Sequence, residues 1–249
     1  MLISSGSRTL WCDSTARVYA GRVAPPRESS VSIKFSLADR PMPMQCTNLS
    51  EADARALVRF QALSRSAPPD MIVEEFWLPP SNRRADVALL GSSIEGIELK
   101  THRDNLKRLS KQAEAYGSVF DKCTLVAAER HLDSADGLLP AWWGLVRLPH
   151  FPNGSLEVVR APRSNPSVDA SALVRLLWKE EARNALSNLG MSVEANRGRS
   201  WMWEQLQSRT SVSQLRQLVR SALVGRDPTR AKIPTKRYRQ CAGVAQSVW

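Results

Sequence analysis

The stretch RADVALLGSSIEGIELK, residues 84–100, decides how this chain is organised. Two short apolar runs flank the small residues 91–93, and that pattern predicts a β-hairpin. Because side chains alternate between the two faces of a strand, Glu98 and Lys100 are expected on the same face near the end of the second strand. Asp86 stands at the start of the first strand, so two carboxylates and an ammonium group are expected to converge at one end of the hairpin.

Apolar patterns on either side of the hairpin predict the other elements of an α/β fold. Ser50 is a suitable N-cap for the first helix, with the carboxylates of Glu51 and Asp53 in its first turn. The predicted elements are a helix over 50–65, strands over 71–78, 85–90 and 94–100, a helix over 103–119, and strands over 123–128, 142–148 and 155–160. A three-stranded meander followed by a helical crossover to a fourth strand predicts a mixed sheet flanked by helices.

Composition divides the chain into four segments. The first lacks a hydrophobic period and holds four prolines, so we expect it to be disordered. The segments are an N-terminal extension over 1–46, the α/β domain over 47–162, a small all-α unit over 163–224 and a basic tail over 225–249. Helices within the all-α unit are predicted over 168–188, 200–208 and 212–224. We expect this unit to pack on the sheet domain.

The net charge of +11 favours a polyanionic partner, but its distribution weakens that argument. Residues 1–46 carry +3 and residues 225–249 carry +5, so most of the excess lies in the predicted ends, which either add affinity for nucleic acid or are merely solvated. No apolar run is long enough for a transmembrane helix, so no membrane association is expected. The four cysteines are scattered, which excludes a paired zinc motif and predicts a reducing cytoplasm.

The charged end of the hairpin suits phosphodiester chemistry. Asp86 and Glu98 are hard oxygen ligands of the kind that Mg²⁺ prefers, with Mn²⁺ as the alternative, and the Leu99 carbonyl is a third candidate ligand. Lys100, on the same face as Glu98, is placed to orient a water or to stabilise developing negative charge. The plain alternative is that charged residues at a strand end are merely solvated, because a short motif of this kind also arises by chance.

The helix after the hairpin adds polar residues on one face. Arg108, Gln112 and Tyr116 follow one another at a spacing of four residues, and such residues line one side of a helix. They do not belong on a core stripe, so we expect them to complete the site beside Glu98. A solvated helix face is the alternative for each residue taken alone.

This array of Asp86 followed by Glu98-Leu99-Lys100, on a hairpin between two helices, resembles the PD-(D/E)XK nuclease superfamily. More closely, residues 50–224 are similar to a family of largely uncharacterised bacterial nuclease-like proteins, with the strongest likeness over 84–132. The resemblance implies a restriction-endonuclease-like core with the order α-β-β-β-α-β. Ala85 occupies the position of the proline in the superfamily's name, and that position tolerates substitution.

The resemblance also implies an activity, which is hydrolysis of nucleic acid, DNA more than RNA, by a Mg²⁺-dependent endonuclease. Asp86 and Glu98 match the metal-binding carboxylates, and Lys100 matches the catalytic lysine. Gln112 matches a glutamine near the active site. Glu75 matches a further acidic member, with Glu74 as the alternative because strand alternation lets only one of the two face inward.

Four other residues match the pattern of the superfamily, but their roles are less specific. Asp53 corresponds to a helix-borne acidic residue, and Arg103, Arg108 and Tyr116 match the pattern as contacts to nucleic acid. The rival hypotheses are a non-catalytic nucleic-acid-binding protein and a partner-docking protein on the same fold. A homodimer is compatible with the sequence, and no residue decides it.

Overall fold

The computed structural model describes residues 49–79, 81–151 and 153–226 and the backbone of 237–239. All of them belong to one unit of the chain, residues 45–249. The predicted extension over 1–46 and most of the predicted basic tail lie outside the described residues. Within the described part of the chain, no helix is both long enough and apolar enough to cross a membrane.

The element order confirms an α/β fold built on a mixed sheet. The helices are α1 (Glu51–Leu63), α2 (Leu109–Gly117), α3 (Glu129–Asp136), α4 (Ala170–Val174), α5 (Lys179–Asn188), α6 (Arg199–Arg209) and α7 (Val212–Gly225). The strands are β1 (Met71–Leu78), β2 (Arg83–Leu90), β3 (Ile94–Lys100), β4 (Lys122–Ala128), β5 (Gly144–Leu148), β6 (Glu157–Arg160) and β7 (Arg237–Arg239). From α1 to β4 the order is the predicted α-β-β-β-α-β.

The sheet has the strand order β6-β5-β4-β3-β2-β1-β7. Strands β1, β2 and β3 form an antiparallel meander, and β4 and β5 continue the sheet parallel to β3. The edge strands β6 and β7 pair antiparallel with β5 and β1. Because β3, β4 and β5 are parallel, their carboxyl ends lie side by side at the same end of the sheet, as expected for a helical crossover connection.

Helix α1 forms because its ends and its buried face agree. The Ser50 hydroxyl accepts from the Asp53 N–H, and the Asp53 carboxylate accepts from the Ser50 N–H, which makes a capping box. Ala54 and Val58 then pack against one face of the sheet. Leu63, which the periodicity also places on this stripe, is 41% exposed, because the helix ends there.

Two predicted helices differ from the structure for local reasons. The helix predicted over 103–119 begins at Leu109, because the Asp104 carboxylate accepts from the Thr101 N–H and hydroxyl and holds the preceding residues in a turn. The helix predicted over 168–188 is interrupted between α4 and α5. There the Glu181 carboxylate accepts from the Trp178 N–H and starts a new helix.

The two faces of the sheet carry separate apolar clusters. Helix α1 covers one cluster, which includes Ile97 and Leu99 of β3. Helices α2 and α4–α7 cover the other face, where Leu206 and Val219 belong to the same cluster as Leu125 of β4. The C-terminal helices thus share a core with the sheet.

Gly96 in β3 allows the segment after α2 to lie directly on the strand. A Cβ built at Gly96 would lie 2.3 Å from Cδ2 of Phe120. The Phe120 ring is fully buried, with its centroid 5.2 Å from that of Tyr116 and 5.9 Å from that of Phe76. The ring has no space to retreat into, so the absence of a side chain at position 96 sets how closely α2 approaches β3.

We expect Gly96→Ala to lower the free energy of unfolding by about 3 kcal/mol, because the added methyl group overlaps a confined ring. Urea unfolding followed by circular dichroism measures the change. Gly137→Ala is the matched control, since nothing lies within 4 Å of its built Cβ and its φ of −74° suits alanine. Equal stability of the two variants would contradict this account of the packing.

Candidate functional site

The site begins where β2 and β3 separate. Their pairing runs from Leu90 opposite Ile94 to Val87 opposite Ile97 and continues no further. Beyond that point the Asp86 carboxylate takes over, because its Oδ2 accepts from the Leu99 N–H at 2.7 Å. Asp86 thus satisfies a backbone donor that a continuous ladder would otherwise bind, and this holds its carboxylate in the split between the strands.

Glu98 and Lys100 lie on one face of β3, as strand alternation predicts. Both are buried, with 1% and 5% of the residue exposed, and Lys100 Nζ lies 2.5 Å from Glu98 Oε1. Removing two charges from water costs several kcal/mol per ion, which their mutual attraction offsets only when further hydrogen bonds satisfy them.

Helix α2 supplies those further hydrogen bonds to Glu98. Gln112 Nε2 donates to Glu98 Oε1 at 2.5 Å, and the Tyr116 hydroxyl donates to Glu98 Oε2 at the same distance. Burial, and the nearby charges of Glu98 and Asp86, raise the pKa of Tyr116 well above its usual range, so the hydroxyl keeps its proton and remains a donor. Gln112 Oε1 is buried and has no hydrogen-bond partner among the described residues.

The predicted contact between Tyr116 and nucleic acid is therefore wrong. The ring is fully buried and packs against Trp143, with centroids 5.4 Å apart. Its hydroxyl is committed to Glu98 and also accepts from the Asp86 N–H at 3.2 Å. Its placement makes Tyr116 a positioning residue for the two carboxylates. Arg103 and Arg108 are exposed in the segment that leads into α2, and their predicted contacts with nucleic acid stay predictions.

A second group of acidic residues lies on the α1 side of the same split. Glu51, Glu75 and Asp86 each offer a carboxylate oxygen, and these oxygens lie within 4.8 Å of one another. The helix-borne carboxylate is Glu51 rather than the expected Asp53, whose oxygen is bound in the capping box. Spacing alone does not separate the two residues, because both stand in the first turn of α1.

The backbone at Glu75 explains how the strand contributes its carboxylates. Glu75 has φ of 53°, in the left-handed region that side-chain-bearing residues rarely adopt. This interrupts the alternation of β1, so Glu74 binds Arg59 at 3.1 Å while Glu75 binds Arg55, and both carboxylates meet α1. The expectation that only one of the two faces inward is wrong for this reason.

Arg55, which none of the sequence motifs indicated, holds the acidic group together. Its guanidinium Nη2 donates to both Glu51 and Glu75. Burial opposes the charge of Arg55, but the negative charges of Glu51, Glu75 and Asp86 prevail and raise its pKa. A usable signal was the row of Glu51, Arg55 and Arg59 at four-residue spacing beside the buried stripe of α1.

The charges of Glu98 and Lys100 on one side, and of Glu51 on the other, act on the Asp86 carboxyl. Burial is the largest cause that raises its pKa to about 7, and the negative charge of Glu98 adds to it. The Leu99 N–H and the charge of Lys100 act in the opposite direction and do not cancel the rise. A carboxyl poised near neutral pH accepts a proton readily, and a bound cation would displace that proton.

The donor set fits a hard divalent cation. Glu51, Glu75 and Asp86 supply three carboxylate oxygens close enough to share one ion, which suits Mg²⁺ or Mn²⁺. Glu98, which the sequence pairs with Asp86 as a ligand, has Oε1 bound to Lys100 and Gln112, while Oε2 binds Tyr116 and keeps a free lone pair. The Leu99 carbonyl as a ligand stays a prediction.

Fold and site together define an α/β protein in which a buried Glu–Lys pair and an acidic cluster lie where two inner strands of a mixed sheet separate. The chain belongs to the bacteriophage P4 protein cII family, whose model matches residues 44–240. Protein cII of Enterobacteria phage P4 is 26% identical over 157 residues, which cover 62% of this chain and 59% of the length of that phage protein.

Among solved structures, a protein of unknown function from Silicibacter pomeroyi is similar to this chain. The match has 21% sequence identity and a TM-score of 0.34, and it covers 57% of this chain and 94% of that protein.

We expect Tyr116→Phe to lower the free energy of unfolding by about 2 kcal/mol, because Glu98 Oε2 would lose its donor inside the protein. Chemical denaturation with urea measures the loss. Ser208→Ala also removes a hydroxyl, but from the exposed side of α6, and it should change stability by less than about 0.5 kcal/mol. A phenylalanine variant as stable as the wild type would refute the positioning role of Tyr116.

The raised pKa of Asp86 predicts a pH-dependent stability of the metal-free protein. Protonated Asp86 is favoured in the folded state, so its stabilising contribution is complete below the ordinary carboxyl value of 3.8 and is lost as the pH rises through about 7. Relative to Asp86→Asn, the wild type should lose about 2–3 kcal/mol between pH 5 and pH 8. Urea titrations of both proteins in EDTA test this, and parallel pH profiles would exclude it.

Proposed function

We propose that this protein is a divalent-metal-dependent nuclease of the PD-(D/E)XK superfamily, hydrolysing phosphodiester bonds of nucleic acid, with DNA as the preferred substrate. The observation that carries the proposal is the buried Glu98–Lys100 pair, held beside Asp86 at the point where β2 and β3 separate. The element order from α1 to β4, with β4 parallel to β3, supports a restriction-endonuclease-like core.

Structural needs alone do not account for a charged pair at this depth. Replacing a buried ion pair by apolar residues of similar volume is often neutral or stabilising, so folding would be served at least as well by apolar side chains. The neighbouring positions Ile97 and Leu99 are apolar and complete the opposite face of the same strand. Buried charges of both signs beside a carboxyl with a strongly shifted pKa are typical of functional sites.

In this proposal Asp86, Glu51 and Glu75 hold the metal ion, with Glu98 as a further ligand through the free lone pair of Oε2. When bound, the ion supplies a more acidic water and neutralises charge on the phosphate oxygens. Arg55 provides positive charge to Glu51 and Glu75 in this structure, so metal binding requires its guanidinium to move aside. Once displaced, the same guanidinium is available to a phosphate group of the substrate.

The other side chains position Lys100. Glu98 orients the ammonium group, while Gln112 and Tyr116 orient Glu98. In this role the Lys100 ammonium stabilises negative charge on the reacting phosphate and orients the attacking water. Arg103 and Arg108, both exposed, would contact backbone phosphates and so would contribute to affinity rather than to the chemical step.

The test is a cleavage assay on single- and double-stranded DNA and RNA with Mg²⁺, Mn²⁺ or EDTA. We expect Lys100→Met and Glu98→Gln each to lower the cleavage rate by about 100-fold or more. Lys100→Met removes the cation proposed to stabilise the reacting phosphate, and Glu98→Gln removes the carboxylate that orients this cation and helps to hold the metal ion. Lys107→Met is the matched control, since Lys107 is exposed between β3 and α2. This variant should cleave at the wild-type rate.

Circular dichroism of each variant separates lost chemistry from lost fold. Undiminished Mg²⁺-dependent cleavage by folded Glu98→Gln would reject the mechanism. Wild-type protein that binds oligonucleotides and cleaves none with any metal would favour the non-catalytic nucleic-acid-binding alternative. Protein that neither binds nor cleaves would favour a partner-docking role.

A further inference from the structure

A polar cavity of about 390 Å³ lies at the opposite end of β3 from the Glu98–Lys100 pair. Its walls come from four places in the chain, which are the turn between β2 and β3, the start of β4, residues 164–165 before α4 and one face of α7. Ser92 lies in the turn, Lys122 begins β4, and Arg216 and Arg220 project from α7. It shares no residue with the acidic cluster or with the Glu98–Lys100 pair.

The sequence of α7 places its polar residues on this cavity. Ser213, Arg216 and Arg220 follow at i, i+3 and i+7, which lie on one side of a helix, while Leu215 and Val219 face the core. Ser213 stands in the first turn of the helix, whose N–H groups carry partial positive charge.

The acidic residue of the cavity is already engaged. Asp121 Oδ2 accepts from the Ile94 N–H at 2.8 Å, and Oδ1 lies 2.9 Å from Arg216 Nε. Neither Oδ1 nor Nε meets hydrogen-bond geometry in that contact, so the ion pair is poorly aligned. Asp121 serves to close the start of β3, and its charge balances one of the three cationic side chains that line the cavity.

Positive charges therefore exceed negative charges in this cavity. Lys122, Arg216 and Arg220 against Asp121 leave a local charge of +2. Arg220 Nη1 donates to the Gly91 carbonyl at 2.7 Å, and no carboxylate of the described residues forms an ion pair with Lys122. A ligand that fits must bring negative charge and several acceptor oxygens.

We propose that this cavity binds a phosphate group. Three cationic side chains, serine hydroxyls and the first turn of α7 surround a space large enough for a phosphate and part of what it is attached to. The six-residue rise from Ile94 to Lys100 separates the cavity from the Glu98–Lys100 pair by about 20 Å. Both a free polyphosphate and the backbone of a nucleic acid carry the required group, and the proposal does not depend on nuclease activity.

The test uses the full chain in EDTA, so that no cleavage can contribute. Binding of inorganic pyrophosphate by calorimetry and of a fluorescent oligonucleotide by anisotropy are measured for wild type, Lys122→Gln and Ser213→Asp. We expect each variant to bind at least one of the two ligands with an affinity lower than that of the wild type by fivefold or more. Ser213→Asp places a carboxylate at the cavity mouth, yet an acidic residue in the first turn suits the helix, so folding is preserved.

Ser200→Asp is the matched control, because Ser200 occupies the same exposed second position of α6 and does not line the cavity. It should bind both ligands within twofold of the wild type. Loss of pyrophosphate binding identifies a site for free phosphates, and loss confined to the oligonucleotide identifies a contact with the nucleic-acid backbone. Cavity variants that bind both ligands as Ser200→Asp does would overturn the proposal.

Discussion

The buried carboxylate of Glu98 is the constraint on which the rest of the site depends. A charge at this depth is stable only when its oxygens are satisfied, and Lys100, Gln112 and Tyr116 satisfy them. Two of these three donors come from α2, so the electrostatic demand of one strand residue fixes where the helix lies. Gly96 contributes sterically, because a side chain at that position of β3 would overlap the Phe120 ring, which packs on the strand just after α2.

The site is built on both faces of the sheet, and Asp86 joins the two. On the α2 face, Glu98 and Lys100 form a compact pair. On the α1 face, Glu51 and Glu75 gather around Arg55. A continuous sheet would keep these groups apart, but the separation of β2 and β3 leaves a gap in which the Asp86 carboxylate lies near both. Burial in that gap is the main reason that its pKa rises to about 7, and the negative charges of Glu98 and Glu51 add to the rise.

Charge balance in the acidic cluster is achieved by the chain itself. The Arg55 guanidinium binds Glu51 and Glu75, so the fold tolerates three nearby carboxylates through an internal cation. A divalent ion has to compete with that guanidinium. The affinity of the cluster for metal therefore reflects how much more strongly the carboxylates bind the divalent ion than the Arg55 guanidinium. The arginine also stays close to the place where a phosphate would bind.

The sequence by itself determined the strands of the hairpin, the order of elements through β4, and the shared face of Glu98 and Lys100, because these follow from local periodicity. Only the tertiary structure decided the partners. Helical spacing placed Tyr116 beside Glu98, but it does not report that the ring is fully buried in the core. Nor does periodicity report that Glu51 rather than Asp53 reaches Asp86, or that positive φ turns Glu75 toward α1. Those outcomes depend on contacts between elements that are separate in the sequence. Leaving a buried polar or charged group without a partner in those contacts would lower the stability of the fold by kilocalories per mole.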